Sequence, residues 1–516
     1  GLAAHPHGAG LFCIRGEHFS RGIHMRLRHG LGIIAVLSLA LVGCTGDTGP
    51  QGPEGPEGPE GPQGPPGESF SEFAYQGNFG EACQHCHATT VGEVLVTNHT
   101  NAYLDLGAEQ ENLYCLQCHT TGFNCEVEFG ATEIDPANCE PPDDGYSGYI
   151  GDDTAEGAER RMALEGVQCE SCHGAMGPNF NAHVPAVSFA THDDPATGES
   201  LSLCQGCHDT QIDEWKTSGH ANAAGGDIAA FNDEHYAGSS TCQVCHTSEG
   251  YIEGNDPAFP SGSITNDEVS FVGCPTCHDP HVGEMGSGNE SQLRNVGPVT
   301  LSYTVPWEPD DEEAPTIEGY GAGQTCVQCH KARRNNDNVA NQIAVGYGHF
   351  GPHHSNQGDM FIGDGSYEIE GYTYEGDHAH EAMIEDACVT CHMLFSEDAG
   401  GHVVHNFSPI DEATGELLGC VACHGTLTVT DLEALQQPVR DKLDEVAVLM
   451  GYADWATLQL TLDDDNFLWA ECQREAVYGA AFVSDSHDFG VHNPTYANSL
   501  LDNAIDYLTN TCVPVP

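Results

Sequence analysis

The sequence predicts a mainly α protein with extensive irregular loops, on three observations. Of its 516 residues 24 are cysteine, and 18 of those fall in nine copies of one short motif. Glycine (62) and proline (28) are frequent, and strand-like alternation is sparse. The clearest helical periodicity comes last, in Leu432, Leu435, Val439, Leu443 and Val446 within 431–450 and in Tyr496, Leu500, Leu501, Ile505 and Leu508 within 495–508. Asp431 is expected to cap the first of these helices and Pro438 to kink it.

The repeated motif is C-x-x-C-H. Its thiols are Cys83 and Cys86, Cys115 and Cys118, Cys169 and Cys172, Cys204 and Cys207, Cys242 and Cys245, Cys274 and Cys277, Cys326 and Cys329, Cys388 and Cys391, and Cys420 and Cys423. The histidines that follow are His87, His119, His173, His208, His246, His278, His330, His392 and His424. Two thiols three residues apart suit thioether bonds to one edge of a haem, and the adjacent imidazole then lies under the iron as an axial ligand. C-x-x-C alone also marks zinc sites and redox dithiols. Zinc ribbons need no His next door, so nine copies each followed by His point to nine covalent haems c. Residues 71–516 then offer roughly 50 residues per haem, few for a conventional core. Short helices and loops are expected to wrap on the haem array, with the macrocycles as the core.

The rest of the chain is read in order. Residues 1–24 precede the first Met, Met25, and are expected to be upstream sequence outside the mature protein. Residues 25–43 read as a signal peptide: Arg26 and Arg28 lead an apolar run, Leu31 to Val42, too short to span a bilayer. The run ends in Leu41-Val42-Gly43-Cys44, which resembles a lipoprotein cleavage box with the lipid on Cys44; Thr45 after it implies the outer membrane. From Gly49 to Gly67 every third residue is Gly, a collagen-like period, so 44–70 is expected to be an anchor and a stiff spacer. Cys125 with Cys139 and Cys472 with Cys512 are expected to form disulfides, as spare cysteines do in an oxidising compartment.

Formal charge is −64, and beyond residue 43 only 10 basic residues face 77 acidic ones. Such a surface repels nucleic acid and anionic lipid, and suits a basic redox partner or a cationic acceptor. The run Asp463-Asp464-Asp465-Asn466 is a candidate Ca2+ site, with a solvated acidic loop as the plainer reading.

The motifs group in threes, giving modules of about 71–195, 196–320 and 321–430 and a helical closing region 431–516. Sixteen His remain for nine sixth positions. The expected distal ligands are His99, His183, His220, His235, His281, His354, His380, His405 and His492. Four choices stay open: His192 or His235, His353 or His354, His378 or His380, and His402 or His405.

Several segments resemble the multihaem cytochrome c superfamily that includes pentahaem nitrite reductases and octahaem hydroxylamine-oxidoreductase-like proteins. They are Cys169-Glu170-Ser171-Cys172-His173-Gly174 with His183, Gly351-Pro352-His353-His354-Ser355-Asn356-Gln357, Cys388-Val389-Thr390-Cys391-His392-Met393, and Gly490-Val491-His492-Asn493-Pro494. The resemblance implies closely stacked and perpendicular haem pairs. It departs at one point: those nitrite reductases often attach their catalytic haem through C-x-x-C-K, a motif this chain lacks. The expected function is electron transfer along nine haems at the outer membrane or cell surface, to other redox proteins or extracellular acceptors, with assembly into a filament or oligomer as an extension. The alternative is a reductase of nitrogen or sulfur oxyanions at one open-coordinate haem.

Overall fold

The computed structural model describes residues 75–140, 144–175, 192–193, 200–201, 203–222, 240–255, 270, 272–282, 291–301, 303, 315–396, 402–411 and 414–512. The signal, lipid and spacer expectations therefore lie outside the described residues, as do His183 and His235. Phe70–Pro516 forms one compact unit. It is mainly α, with the described β-structure limited to three two-stranded antiparallel ladders and a few isolated bridges. One ladder sets Val299 and Thr300 against Ile317 and Thr316, and another sets Phe395 and Ser396 against Val403 and His402.

The conventional core sits at the C-terminal end. Five helices carry the argument: α1 (Asn98–Asp105), α2 (Asn336–Val345), α3 (Val429–Leu449), α4 (Glu471–Asp485) and α5 (Pro494–Asn510). The apolar stripe of α3 (Val439, Leu443, Val446) and that of α5 (Tyr496, Leu500, Leu501) enclose α4, which buries Ala476 to Ser484 without a break. A helix apolar on every side belongs in the middle of a bundle, and α4 takes that place. It carries the buried Arg474, whose guanidinium donates to the carbonyls of Ile343, Ala344, Asn466 and Trp469. Two of those carbonyls belong to the last turn of α2, the negative end of its dipole, so this buried cation is neutralised without a carboxylate.

Two details of α3 differ from expectation. Thr428 is the N-cap and Asp431 its capping-box partner, each side chain accepting from the other's backbone N–H. The helix also runs through Pro438 as one 21-residue element. Both expected disulfides are present, Cys125–Cys139 and Cys472–Cys512, and the second ties the start of α4 to the end of α5.

Candidate haem-binding sites

Each motif is built on a tight turn. The backbone N–H of the motif His returns to the carbonyl of the first Cys, at 2.9 Å in His87, His208 and His278 and 3.0 Å in His330. An α-turn puts residues i, i+3 and i+4 on one side, so both thiols and the imidazole face the same way. Local capping fixes several turns. Asn112 caps the helix of Cys115, and Gln168 with Ser171 boxes that of Cys169. Glycines let the turns approach one another. A side chain at Gly323 would meet the Asp386 carbonyl at 2.5 Å, and one at Gly419 the Cys391 carbonyl at 2.6 Å.

Seven motif imidazoles each face a second imidazole at nearly constant distance. Ring centroids are 6.0 Å apart in His220–His330 and His380–His424, and 6.1 Å in His246–His353. They are 6.2 Å apart in His99–His208, His173–His281 and His392–His492, and 6.3 Å in His278–His405. Two imidazoles on opposite faces of one metal, each bonded at about 2.0–2.1 Å, have centroids roughly 6.2–6.4 Å apart. Ring contacts elsewhere in the protein scatter from 4.2 Å in the stacked His353 and His354 to 6.5 Å in Phe482–Tyr496, so what sets these seven pairs apart is their constancy and the motif histidine in each. The residues therefore fit a bis-imidazole iron between each pair. Burial depresses the imidazolium of His99, His208, His278 and His330, and takes His220 down to about 4 and His353 to about 3. Neutral imidazole is the form a metal binds.

Several rings are oriented through Nδ1, which leaves Nε2 as the free lone pair. Nδ1 of His278 meets the Ser291 carbonyl at 2.7 Å, that of His392 the Phe407 carbonyl at 3.0 Å, and that of His405 the Val403 carbonyl at 2.7 Å. Nδ1 of His119 meets the Ala102 carbonyl at the end of α1 at 2.5 Å. His492 stands apart, with the buried Asp488 carboxylate 2.6 Å from its Nδ1. Burial works against a charged His492, but Asp488 overrides it and raises the pKa.

The open choices separate on hydrogen bonding. Nε2 of His378 is taken by the Phe361 carbonyl, and it is His380 that faces His424. Nε2 of His402 is taken by Glu214 at 2.9 Å, and it is His405 that faces His278. At the third pair it is His353, rather than the expected His354, that faces His246, while His354 stacks on the back of His353 and lies 6.5 Å from His487. The sequence offers no signal between the two adjacent histidines, because only the turn of the chain decides which one points at the motif. Nor do the four acidic-run residues converge on a cation. Asp463 accepts from Phe350 N–H, Asp465 from the Tyr452 hydroxyl, and Asn466 bridges to Tyr347. Among the described residues no group of three or more His, Cys, Asp or Glu is placed to hold a metal ion.

The pairs also cross the sequence modules. His99 reaches the second module, His281 reaches back to the first, and His353 and His405 of the third serve histidines of the second. The motif thiols are linked in the same manner. Cys83 lies against Cys169, Cys118 against Cys207, Cys204 against Cys274, Cys245 against Cys329, and Cys326 against Cys388. Cys172 is within electrostatic reach of Cys204, Cys277 of Cys326, and Cys391 of Cys420. All nine motifs thus form one connected line with side branches at the Cys204 and Cys326 motifs.

Comparison with known proteins gives a consistent picture. The family profile "Cytochrome c554 and c-prime" matches residues 145–174 and 203–279. The chain is 25% identical over 204 residues to "Multiheme cytochrome MtrA" of Shewanella baltica, a match covering 33% of this chain. It spans 57% of that relative's length. Among solved structures, "Outer Cell Wall Cytochrome OcwA" aligns with a TM-score of 0.45 and 16% identity over 84% of this chain and 99% of its own. An "Undecaheme cytochrome from S-layer of Carboxydothermus ferrireducens" aligns with a TM-score of 0.47 and 17% identity over 85% of this chain and 70% of its own.

Proposed function

Because this chain belongs to the multihaem cytochrome c superfamily, we propose that it carries electrons along nine covalently held haems at the cell envelope. The observation that carries the reading is the set of seven imidazole pairs at 6.0 to 6.3 Å, each containing one C-x-x-C-H histidine. Haem iron with two imidazole ligands supplies one-electron chemistry at low potential and has no position for a substrate. The protein's part is to aim both imidazoles of each pair at one another and to hold the attachment turns close together. The connected thiol line supports relay across the whole chain, since every motif adjoins another. No helix among the described residues is long and apolar enough to cross a membrane, and the proposed membrane contact is a lipid on Cys44. The acidic surface favours a basic redox protein or a cationic extracellular acceptor.

Two measurements test the reading. Intact mass of the mature protein should show nine haems; seven or fewer contradicts it. Carbon monoxide should leave the seven paired haems of the reduced protein unaltered. Stoichiometric binding at one of them, with turnover of hundreds per second on nitrite, hydroxylamine or tetrathionate, would make the protein a reductase.

A further inference from the structure

The few cations of this chain are nearly all committed. Arg160, Arg161 and Arg474 donate to backbone carbonyls. Lys216, Arg294 and Lys442 pair with Asp213, Asp279 and Asp502 at 3.1, 3.0 and 2.6 Å. Arg440 lies over the Phe489 ring at 3.5 Å. The other three, Lys331, Arg333 and Arg334, lie within four residues of one another. Among the described residues none of them has a carboxylate within 4.0 Å. Arg160, Arg161, Arg440 and Arg474 lack a carboxylate within that distance too, but only at Lys331, Arg333 and Arg334 do three cations cluster within four residues, and in a chain with 77 acidic residues beyond position 43 that clustering calls for an explanation.

Their position supplies the explanation. They follow the Cys326 motif directly, and Lys331 and Arg333 act on the Cys245 thiol, which lies against Cys329. Arg333 and Arg334 act on His353, the imidazole opposite His246. Arg334 is held in place by its bond to the His349 carbonyl at 3.3 Å and by the Tyr347 ring at 5.3 Å. Arg333 is exposed and has no described hydrogen bond. Lys331 acts on Asp359, whose carboxyl burial pushes up to about 7, so that acid offsets only part of the charge. The positive field of these three cations thus falls on two adjoining attachment sites, in a chain that is strongly acidic as a whole.

We propose that Lys331, Arg333 and Arg334 make the haems attached at Cys242 and Cys326 the first two of the nine to be reduced, so that an electron entering the chain settles there before it leaves. The proposal rests on the reading of both motifs as haem sites. Reduction of a bis-imidazole iron adds one electron and lowers the site charge by one, so a nearby cation favours the reduced form. A unit charge about 10 Å away, at an effective dielectric near 20, is worth roughly tenfold in the equilibrium. Tenfold corresponds to about 59 mV for one electron.

The test is a spectroscopic redox titration of the purified full-length holoprotein, with haem content measured on the same samples. Wild type should show two reduction steps above the other seven. In Arg333→Gln/Arg334→Gln those two steps should fall by about 59 mV or more while the other seven stay in place. Arg333→Lys/Arg334→Lys should titrate as wild type. Arg333→Gln alone, which removes no described hydrogen bond, should show part of the same shift and guards against misfolding of the double variant. No shift, an equal shift of all nine steps, or the same shift in the Lys variant overturns the proposal. A haem count below nine with either motif empty overturns the haem reading instead.

Discussion

His378 and His402 show why residue-level reading of the sixth ligands stops where it does. Each stands within three residues of a histidine that faces a motif imidazole, and the sequence treats the two alike. The difference is a hydrogen bond from far along the chain: Phe361 in one case, Glu214 in the other. The repeats and segment motifs single out His99, His220, His281 and His492 with no adjacent competitor, and each of the four faces a motif imidazole. Two substitution pairs test the assignment. His380→Ala and His405→Ala should each convert one haem to high spin at unchanged haem content, by electron paramagnetic resonance. His378→Ala and His402→Ala should leave all spins as they were; a high-spin signal from either would reverse the assignment. A second residue-scale prediction concerns Asp359. It is fully buried, and burial raises its pKa to about 7. A carboxylic acid raised in the folded state binds its proton more tightly there than in the unfolded chain. Its ionisation therefore removes stability as pH rises from about 4 to about 7. Asp359→Asn should raise the unfolding temperature at pH 8 and leave it nearly unchanged at pH 5. Equal effects at both pH values would mean the carboxylate is compensated.

At the scale of elements, periodicity did well where apolar side chains form the core and poorly where they do not. Helices α3 and α5 fall within a few residues of the expected spans, since their stripes pack on α4. Helix α4 itself went unread, because a helix apolar all round carries no stripe to find. The N-cap of α3 was placed at Asp431 because an acid near the helix start is a strong cue. The capping box assigns that acid to the third position and the cap to Thr428. Thr428→Ala should cost about 1 kcal/mol of stability, and Leu443→Ala, wholly buried, about 2–5 kcal/mol, both measurable by denaturant unfolding. Neither should change the haem count. Loss of haem in Thr428→Ala would mean that α3 supports the Cys420 attachment turn directly.

For the whole molecule, the motif triplets are real in the sequence but do not become separate units. Five of the seven imidazole pairs join a histidine of one module to a motif histidine of another, so no module holds all its own pairs. The charge has a long-range consequence: electron transfer to a basic partner should slow steeply as ionic strength rises past the point where the screening length is about 10 Å. A rate independent of salt would remove electrostatic docking from the account. Cys44→Ala should release the protein from membranes, and a wild type already soluble in the periplasm or medium would exclude the lipid anchor.

Electron paramagnetic resonance of the oxidised protein, integrated per haem, reaches the central claim most directly, because it reads the ligand pairs themselves. Ring planes 20° apart in His173–His281 should give a rhombic low-spin signal, and those 88° and 78° apart in His380–His424 and His220–His330 should give strongly anisotropic ones. The account predicts at least seven low-spin haems per chain. High-spin signal from three or more of the nine would contradict it.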